Sequence, residues 1–190
     1  MLILGSSSSA RRALLERLRL PFTVDPADLD EAAIAADCAT PIEVAQTLAR
    51  AKAEAVARRH PDAIVIGSDQ VACIGQQRFG KPGTRNSALA QLRELRGREH
   101  QLLTAVTLAC GKRRVEFVDT TRLTMRALSD AELTRYVDTE TPFECAGSYR
   151  FEGLGISLFE RVDSHDQTAI LGLPLLRLCI ELRGLGMQLP

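Results

Sequence analysis

Leu2-Ile-Leu-Gly-Ser-Ser-Ser-Ser-Ala-Arg-Arg-Ala-Leu-Leu15 decides the fold class. A short apolar run, a loop of small residues and then apolar positions at helical spacing read as strand, loop and helix. The helix is expected over Arg11 to Leu18, with Pro21 ending it. Serines are good N-caps, so the loop hands the chain directly to that helix. Asp25 to Asp37 is acidic and reads as a loop. Pro41 to Arg59 reads as a strong helix, with Thr40 as cap and Pro41 at its first position. Ala63-Ile-Val-Ile-Gly67 is a continuous apolar run, the mark of a buried strand, and Val71 to Ile74 can continue it.

Downstream, Gly80-Lys-Pro-Gly83 is a loop and Asn86 to Leu95 a helix stopped by Gly97. His100–Ala109 and Val115–Met125 read as strands joined by a turn at Gly111. Ser129-Asp-Ala-Glu132 is a capping box opening a helix to about Val137. Gly147 to Gly155 is punctuated by glycine, Ile156 to Val162 reads as a strand, and Leu173-Pro174 opens a last helix over Leu175 to Leu182. Early alternation of strand and helix, followed by a hairpin, gives an α/β fold with a mixed sheet.

The 190 residues, 45% hydrophobic, fit a single domain over residues 1–190, at most a tight two-lobed one. Twenty-four Lys and Arg balance 24 Asp and Glu. That balance argues against a broad nucleic-acid or membrane surface, both of which need excess positive charge. With no Trp and 4% aromatic residues, stacking platforms for single-stranded nucleic acid are not expected. The five cysteines are widely spaced and odd in number, which fits reduced thiols in a cytoplasmic protein better than a disulfide framework. No segment approaches the roughly 18 apolar residues of a membrane span, and the apolar start is too short for a signal peptide.

Five places could carry chemistry. The serine loop before a helix offers unpaired backbone N–H groups and the positive end of the helix dipole, where phosphates bind. Ser6 and Ser8 add hydroxyl donors, and Arg11 and Arg12 add forked cationic ones. The same residues would equally make a plain N-cap with two solvated arginines. Asp69 follows Ile64-Val-Ile66 at the expected carboxyl end of a strand, the edge where ligands gather in open α/β sheets. Partial desolvation there would raise its pKa toward that of a useful base, though a strand-ending turn aspartate is the ordinary alternative. Lys52 borders the inner face of its helix, marked by Val44, Leu48, Ala51 and Ala55. It can reach an anion or snorkel to water. Lys81 sits on a stiff loop between Gly80 and Pro82, and Glu152 is the one acid in the glycine-rich stretch Cys145 to Gly155.

Taken together these residues resemble the Maf family of nucleoside triphosphate pyrophosphatases over nearly the whole chain. The matching motifs, in order, are Leu4 to Leu15, Asp30-Glu31, Leu48-Ala49…Lys52-Ala53, Gly67-Ser-Asp-Gln-Val71, Gly80-Lys-Pro82 and Leu171-Gly-Leu-Pro174. Cys145 to Gly155, followed by Leu158-Phe-Glu-Arg161, is similar to the subgroup acting on 7-methyl-GTP; the dTTP/UTP subgroup carries Gln where this chain has Glu152.

The resemblance implies a two-lobed α/β domain with a long mixed β-sheet flanked by helices and a central cleft. It implies hydrolysis of the α–β phosphoanhydride to a nucleoside monophosphate and pyrophosphate, with a divalent metal, Mg²⁺ or Mn²⁺. Asp69 would be the base activating water; Ser6, Ser8, Arg11, Arg12, Lys52 and Lys81 would hold the triphosphate. Glu31 would help with metal or water, while Ala10, Gln70 and Glu152 fall on the family's specificity positions. The family resemblance is compatible with a homodimer. Its other branches would make the chain a dTTP/UTP pyrophosphatase or a non-catalytic nucleotide-binding regulator of septum formation. Two departures stand out. Ala10 replaces the subgroup's usual aromatic, so another apolar surface such as Phe151 is expected to cover the base. Thr104 replaces a glycine, small for small.

Overall fold

The computed structural model describes residues 1–189. Its strands are β1 (Leu2–Leu4), β2 (Phe22–Val24), β3 (Ile64–Ile74), β4 (Gln77–Phe79), β5 (Glu99–Cys110), β6 (Arg113–Met125) and β7 (Phe159–Asp163). They form a seven-stranded mixed sheet in the order β2-β1-β3-β5-β6-β7, with β4 paired to β3. β1 lies parallel to both β2 and β3, whereas β3–β4 and β6–β7 are antiparallel. The helices are α1 (Ser9–Glu16), α2 (Glu31–Ala36), α3 (Pro41–Arg59), α4 (Arg85–Leu95), α5 (Asp130–Glu140), α6 (Gln167–Ile170) and α7 (Leu175–Gly184). The α/β class and the mixed, helix-flanked sheet expected from the sequence are therefore present. No helix among the described residues is long and apolar enough to cross a membrane.

The chain divides into two compact units, one built from Met1–Gln70, Thr104–Asp119 and the segment from Asp166 on, the other from Val71–Leu103 and Thr120–His165. In the first unit, β3 side chains alternate between two apolar layers, as the period-2 geometry of a strand demands. Ile64 and Ile66 join Leu2, Leu4, Leu14, Leu15, Leu178 and Leu182 on one face. Val65 joins Ile3, Ala53 and Val56 on the other. In the second unit, His100, Tyr149 and Phe159 form a buried aromatic group, with the Tyr149 and Phe159 rings 4.9 Å apart and nearly perpendicular.

α3 spans the predicted residues and carries a complete capping box, Thr40 with Glu43, behind Pro41. Four local expectations are corrected. Asp25–Asp37 is not all loop: the Asp30 carboxylate accepts from the Ala33 N–H and starts α2, whose alanine-rich sequence favours helix over the acidic run around it. α1 begins two residues early and ends at Glu16, before Pro21, in a turn where Arg19 takes a positive φ. β3 is unbroken from Ile64 to Ile74, so Asp69 lies within the strand rather than at its carboxyl end. The strand expected from Ile156 starts only at Phe159; Leu154–Leu158 is a 3₁₀ turn whose first N–H is bound by the Glu140 carboxylate at 2.7 Å. β2, β4 and α6 are too short to leave a periodic signal.

One backbone contact sets the spacing of the first unit. A Cβ on Gly67 would lie 2.2 Å from the Ala49 carbonyl oxygen and 2.6 Å from the Ala53 nitrogen, so α3 rests directly on β3. Gly67→Ala should cost about 3 kcal/mol or more, the order expected for overpacking against backbone. Gly80→Ala, where a Cβ meets nothing within 4 Å, should be near neutral. Urea unfolding midpoints test this pair; a native midpoint for Gly67→Ala would show that the helix can lift from the strand freely.

Candidate active site

The contact at Gly67 places the next functional residues. Asp69 lies two residues along β3 and so points to the same face as Gly67, toward α3. Lys52 directly precedes Ala53, one of the residues that touch Gly67. Its ammonium therefore meets the carboxylate: Lys52 Nζ donates to Asp69 Oδ1 at 2.7 Å. Both side chains are nearly buried, at 9% and 11% exposure. Glu31, the first residue of α2, reaches the same Nζ at 2.9 Å with a half-exposed carboxylate. Burial raises the Asp69 pKa above the usual carboxylate value, against the pull of Lys52 and Arg11 in the opposite direction.

β1 ends at Leu4, opposite Ile66, and the Gly5 N–H closes that pairing onto the Ile66 carbonyl at 2.8 Å. The β1 pairing ends there, so Ser68 and Asp69 stand beyond the end of a parallel strand. That is the setting in which α/β sheets bind ligands, even though β3 itself continues. Ser8 caps α1 by accepting from the Arg11 N–H at 3.3 Å. Ser6 is buried, and its hydroxyl accepts from the Ser8 N–H and from Arg11 Nη1, each at 3.2 Å. Arg11 Nε donates to the Gly172 carbonyl at 3.0 Å. Burial lowers the Arg11 pKa, with Asp69 and Glu31 partly offsetting the loss.

Ser68 and Gln70 point to the opposite face of β3. Ser68 Oγ donates to the Gly172 carbonyl at 2.8 Å, and Gln70 Nε2 donates to Thr104 Oγ1 and to the Ala169 and Ile170 carbonyls. Thr104 Oγ1 in turn donates to the Ala169 carbonyl at 3.0 Å. Gln70 thus spends its amide on protein groups. Ala10 is half-buried on the first turn of α1.

Within the first unit the structure joins Ser6, Ser8 and Arg11 in one hydrogen-bonded set and Glu31, Lys52 and Asp69 in another, near enough for the two carboxylates to act on the Arg11 charge. Arg12 is different: it is 64% exposed and paired with Glu16 at 2.9 Å along α1. Lys81 and Glu152 belong to the second unit. Lys81 is exposed, 3.6 Å from Glu144. Glu152 is partly exposed beside Arg150, whose Nε lies 3.7 Å away. The loop carrying Glu152 is pinned by the Arg150 N–H to Tyr136 Oη at 3.0 Å and by the His100–Tyr149 hydrogen bond at 2.9 Å. Burial drives the His100 pKa down to about 4, so this ring is neutral near pH 7. Phe151 stacks at 5.8 Å on Phe159.

Residues 1–185 match the family described as Maf-like protein. The chain belongs to the Maf family. A protein of Cupriavidus metallidurans is 51% identical over 187 residues, covering 97% of this chain and 93% of its own length. One from Polaromonas sp. is 47% identical over 190 residues, covering 99% and 86%. One from Aromatoleum aromaticum is 47% identical over 192 residues, covering 100% and 97%. Each of these three relatives is named 7-methyl-GTP pyrophosphatase. Reading the sequence missed Ser68, Thr104 and Gly172 as parts of this Maf site. Ser68 and Gly172 lie inside the motifs Gly67–Val71 and Leu171–Pro174, which marked their neighbourhood but not their roles, and Thr104 stood out only as a departure from the pattern.

Carboxyl carbon NMR of labelled aspartate should find Asp69 titrating above the ordinary value of about 3.9. In Lys52→Met, loss of the neighbouring cation should move that titration to still higher pH, while Lys52→Arg should hold it near the native position. An unmoved Asp69 resonance in Lys52→Met would show that the lysine does not govern the carboxylate's charge.

Proposed function

We propose that this Maf protein hydrolyses the α–β phosphoanhydride of a nucleoside triphosphate, with 7-methyl-GTP as the preferred substrate. The observation that carries the reading is the buried Asp69 carboxylate, held by Lys52 within a set of anion-binding groups. A site that only bound anions would gain nothing from a carboxylate at its centre. The full-length relatives named 7-methyl-GTP pyrophosphatase support the choice of reaction and base.

In this reading Asp69 takes a proton from water as the water oxygen attacks the α-phosphorus. The bond from that phosphorus to the bridging oxygen breaks, and pyrophosphate leaves with the electron pair. The raised Asp69 pKa makes the carboxylate a better base, and the Lys52 ammonium favours its ionised form. Ser6, Ser8, Arg11 and the N-terminus of α1 grip the phosphate tail; Arg12 and Lys81 add positive charge. As the leaving group gains charge, these fixed donors stabilise it.

A divalent metal, Mg²⁺ or Mn²⁺, fits the donor set. Asp69 and Glu31 already converge on one cation, the Lys52 ammonium. One or two carboxylates completed by phosphate oxygens is a usual way to hold Mg²⁺. Glu31 with Asp69 would hold the ion, which would offset phosphate charge.

Glu152 reads the base by charge. N7 methylation makes the guanine ring cationic and its N1–H and N2–H better donors, and a carboxylate accepts both bonds with charge assistance. Gln in its place loses about 1–3 kcal/mol per bond. Phe151 covers the base in place of the aromatic missing at Ala10. The protein is then a cytoplasmic house-cleaning enzyme that clears modified nucleotides; its partner is a small nucleotide rather than a nucleic acid, and a homodimer is compatible with this role.

Pyrophosphate release from a panel of canonical and methylated triphosphates with Mg²⁺ tests the reading. We expect 7-methyl-GTP to lead and Glu152→Gln to narrow its margin over UTP. A lead for UTP would assign the chain to the pyrimidine branch, and binding without turnover would make it a sensor. Asp69→Asn should lower kcat about 10²- to 10⁴-fold with the fold intact. For the native enzyme, kcat/KM should be retained at high pH and lost as pH falls through a value above the ordinary carboxylate pKa. An acid limb at or below that value would remove Asp69 as the base.

A further inference from the structure

We infer that the Gln167–Gly172 segment, α6 and the turn after it, is a positioning device that aims Arg11 at the phosphate tail. Gly172 is its contact point, and Ser68, Gln70 and Thr104 are its fasteners. The Gly172 carbonyl accepts from both Arg11 Nε at 3.0 Å and Ser68 Oγ at 2.8 Å, which uses both of its lone pairs. The Ala169 and Ile170 carbonyls are tied to the strands by Gln70 and Thr104. The segment is braced from behind as well. Asp166, mostly buried, accepts from the Thr168 N–H, the Thr168 hydroxyl and the Leu176 N–H, and Thr168 Oγ1 accepts from the Leu175 N–H.

Position 172 favours glycine on two counts. Its φ of +98° is in the left-handed region, and a Cβ there would lie 3.0 Å from Arg11 Nε. A guanidinium has N–H donors in a rigid fork, so fixing Nε on Gly172 and Nη1 on Ser6 fixes the direction of the rest. The segment thereby sets where Arg11 presents its remaining donors. None of Ser68, Thr104 and Gly172 need touch the nucleotide: they act through Arg11.

The inference rests on the proposed hydrolysis, in which Arg11 grips the phosphates, and is tested in two arms on the full-length chain. The first uses no nucleotide. Hydrogen exchange at the Arg11 Nε–H is followed by NMR on protein with labelled arginine. Exchange should accelerate about tenfold or more in Gly172→Ala, Ser68→Ala and Thr104→Val, and stay native in Thr104→Ser, which keeps the hydroxyl. The second arm follows hydrolysis of 7-methyl-GTP. Ser68→Ala should lower kcat/KM by about three- to tenfold, the scale of one hydrogen bond. In the Ser68→Ala/Arg11→Lys double variant the loss should equal that of Arg11→Lys alone, because lysine has no Nε–H fork to aim.

Native exchange at Arg11 in both Ser68→Ala and Thr104→Val, or additive kinetic losses, overturns the inference. If Gly172→Ala does not fold, Ser68→Ala carries both arms. A native protein that turns over no nucleotide defeats the proposed reaction, and the exchange arm then decides the positioning role on its own.

Discussion

The close approach of α3 to β3 at Gly67 is the constraint on which the site depends. With no side chain at that position, helix and strand backbones come within van der Waals reach. Lys52 and Asp69 are then carried to 2.7 Å with little water around them. In water such an ion pair is worth little; half-dried, each partner is costly without the other. In the pair the lysine favours the charged carboxylate against the burial that raises its pKa.

The period of the strand divides the labour around it. Gly67 and Asp69 face α3, and Asp69 would carry the proton chemistry of the proposed reaction. Ser68 and Gln70 face the other way and hold the 169–172 carbonyls. In the proposed reaction one eleven-residue strand thus carries the base on one side and, on the other, the scaffold of the arginine that would grip the phosphates. The positive end of α1 and the Ser6 hydroxyl complete the anion-binding side.

Much of this was legible in the sequence because its causes are local. A Thr-Pro-x-Glu start and a long apolar stripe mark α3 to the residue, and a β-branched run marks the beginning of β3. Asp69, Lys52 and the serine loop could be picked out for the same reason: a carboxylate after a buried run, a lysine on an apolar face, small residues before a helix. The rest was hidden where causes are distant. α2 owes its helix to a single capping aspartate inside an acidic run that otherwise looks like loop. The roles of Thr104 and Gly172 exist only because β3, β5 and α6 meet in space, across separations that no spacing rule reaches. Arg11 and Arg12 are chemically identical neighbours, yet one helical step sends the first to Gly172 and the second to Glu16.

In the proposed reaction Asp69 addresses a water molecule poised against the α-phosphorus while Arg11 holds the phosphates beyond it. A crystal structure with an α,β-imido analogue of 7-methyl-GTP tests this most directly. The phosphate tail should lie on the Ser6–Arg11 side, with one ordered water within about 3 Å of an Asp69 carboxylate oxygen and in line with the bond to be broken. A tail bound elsewhere, with Asp69 still closed on Lys52 and no water between it and the phosphorus, would contradict it.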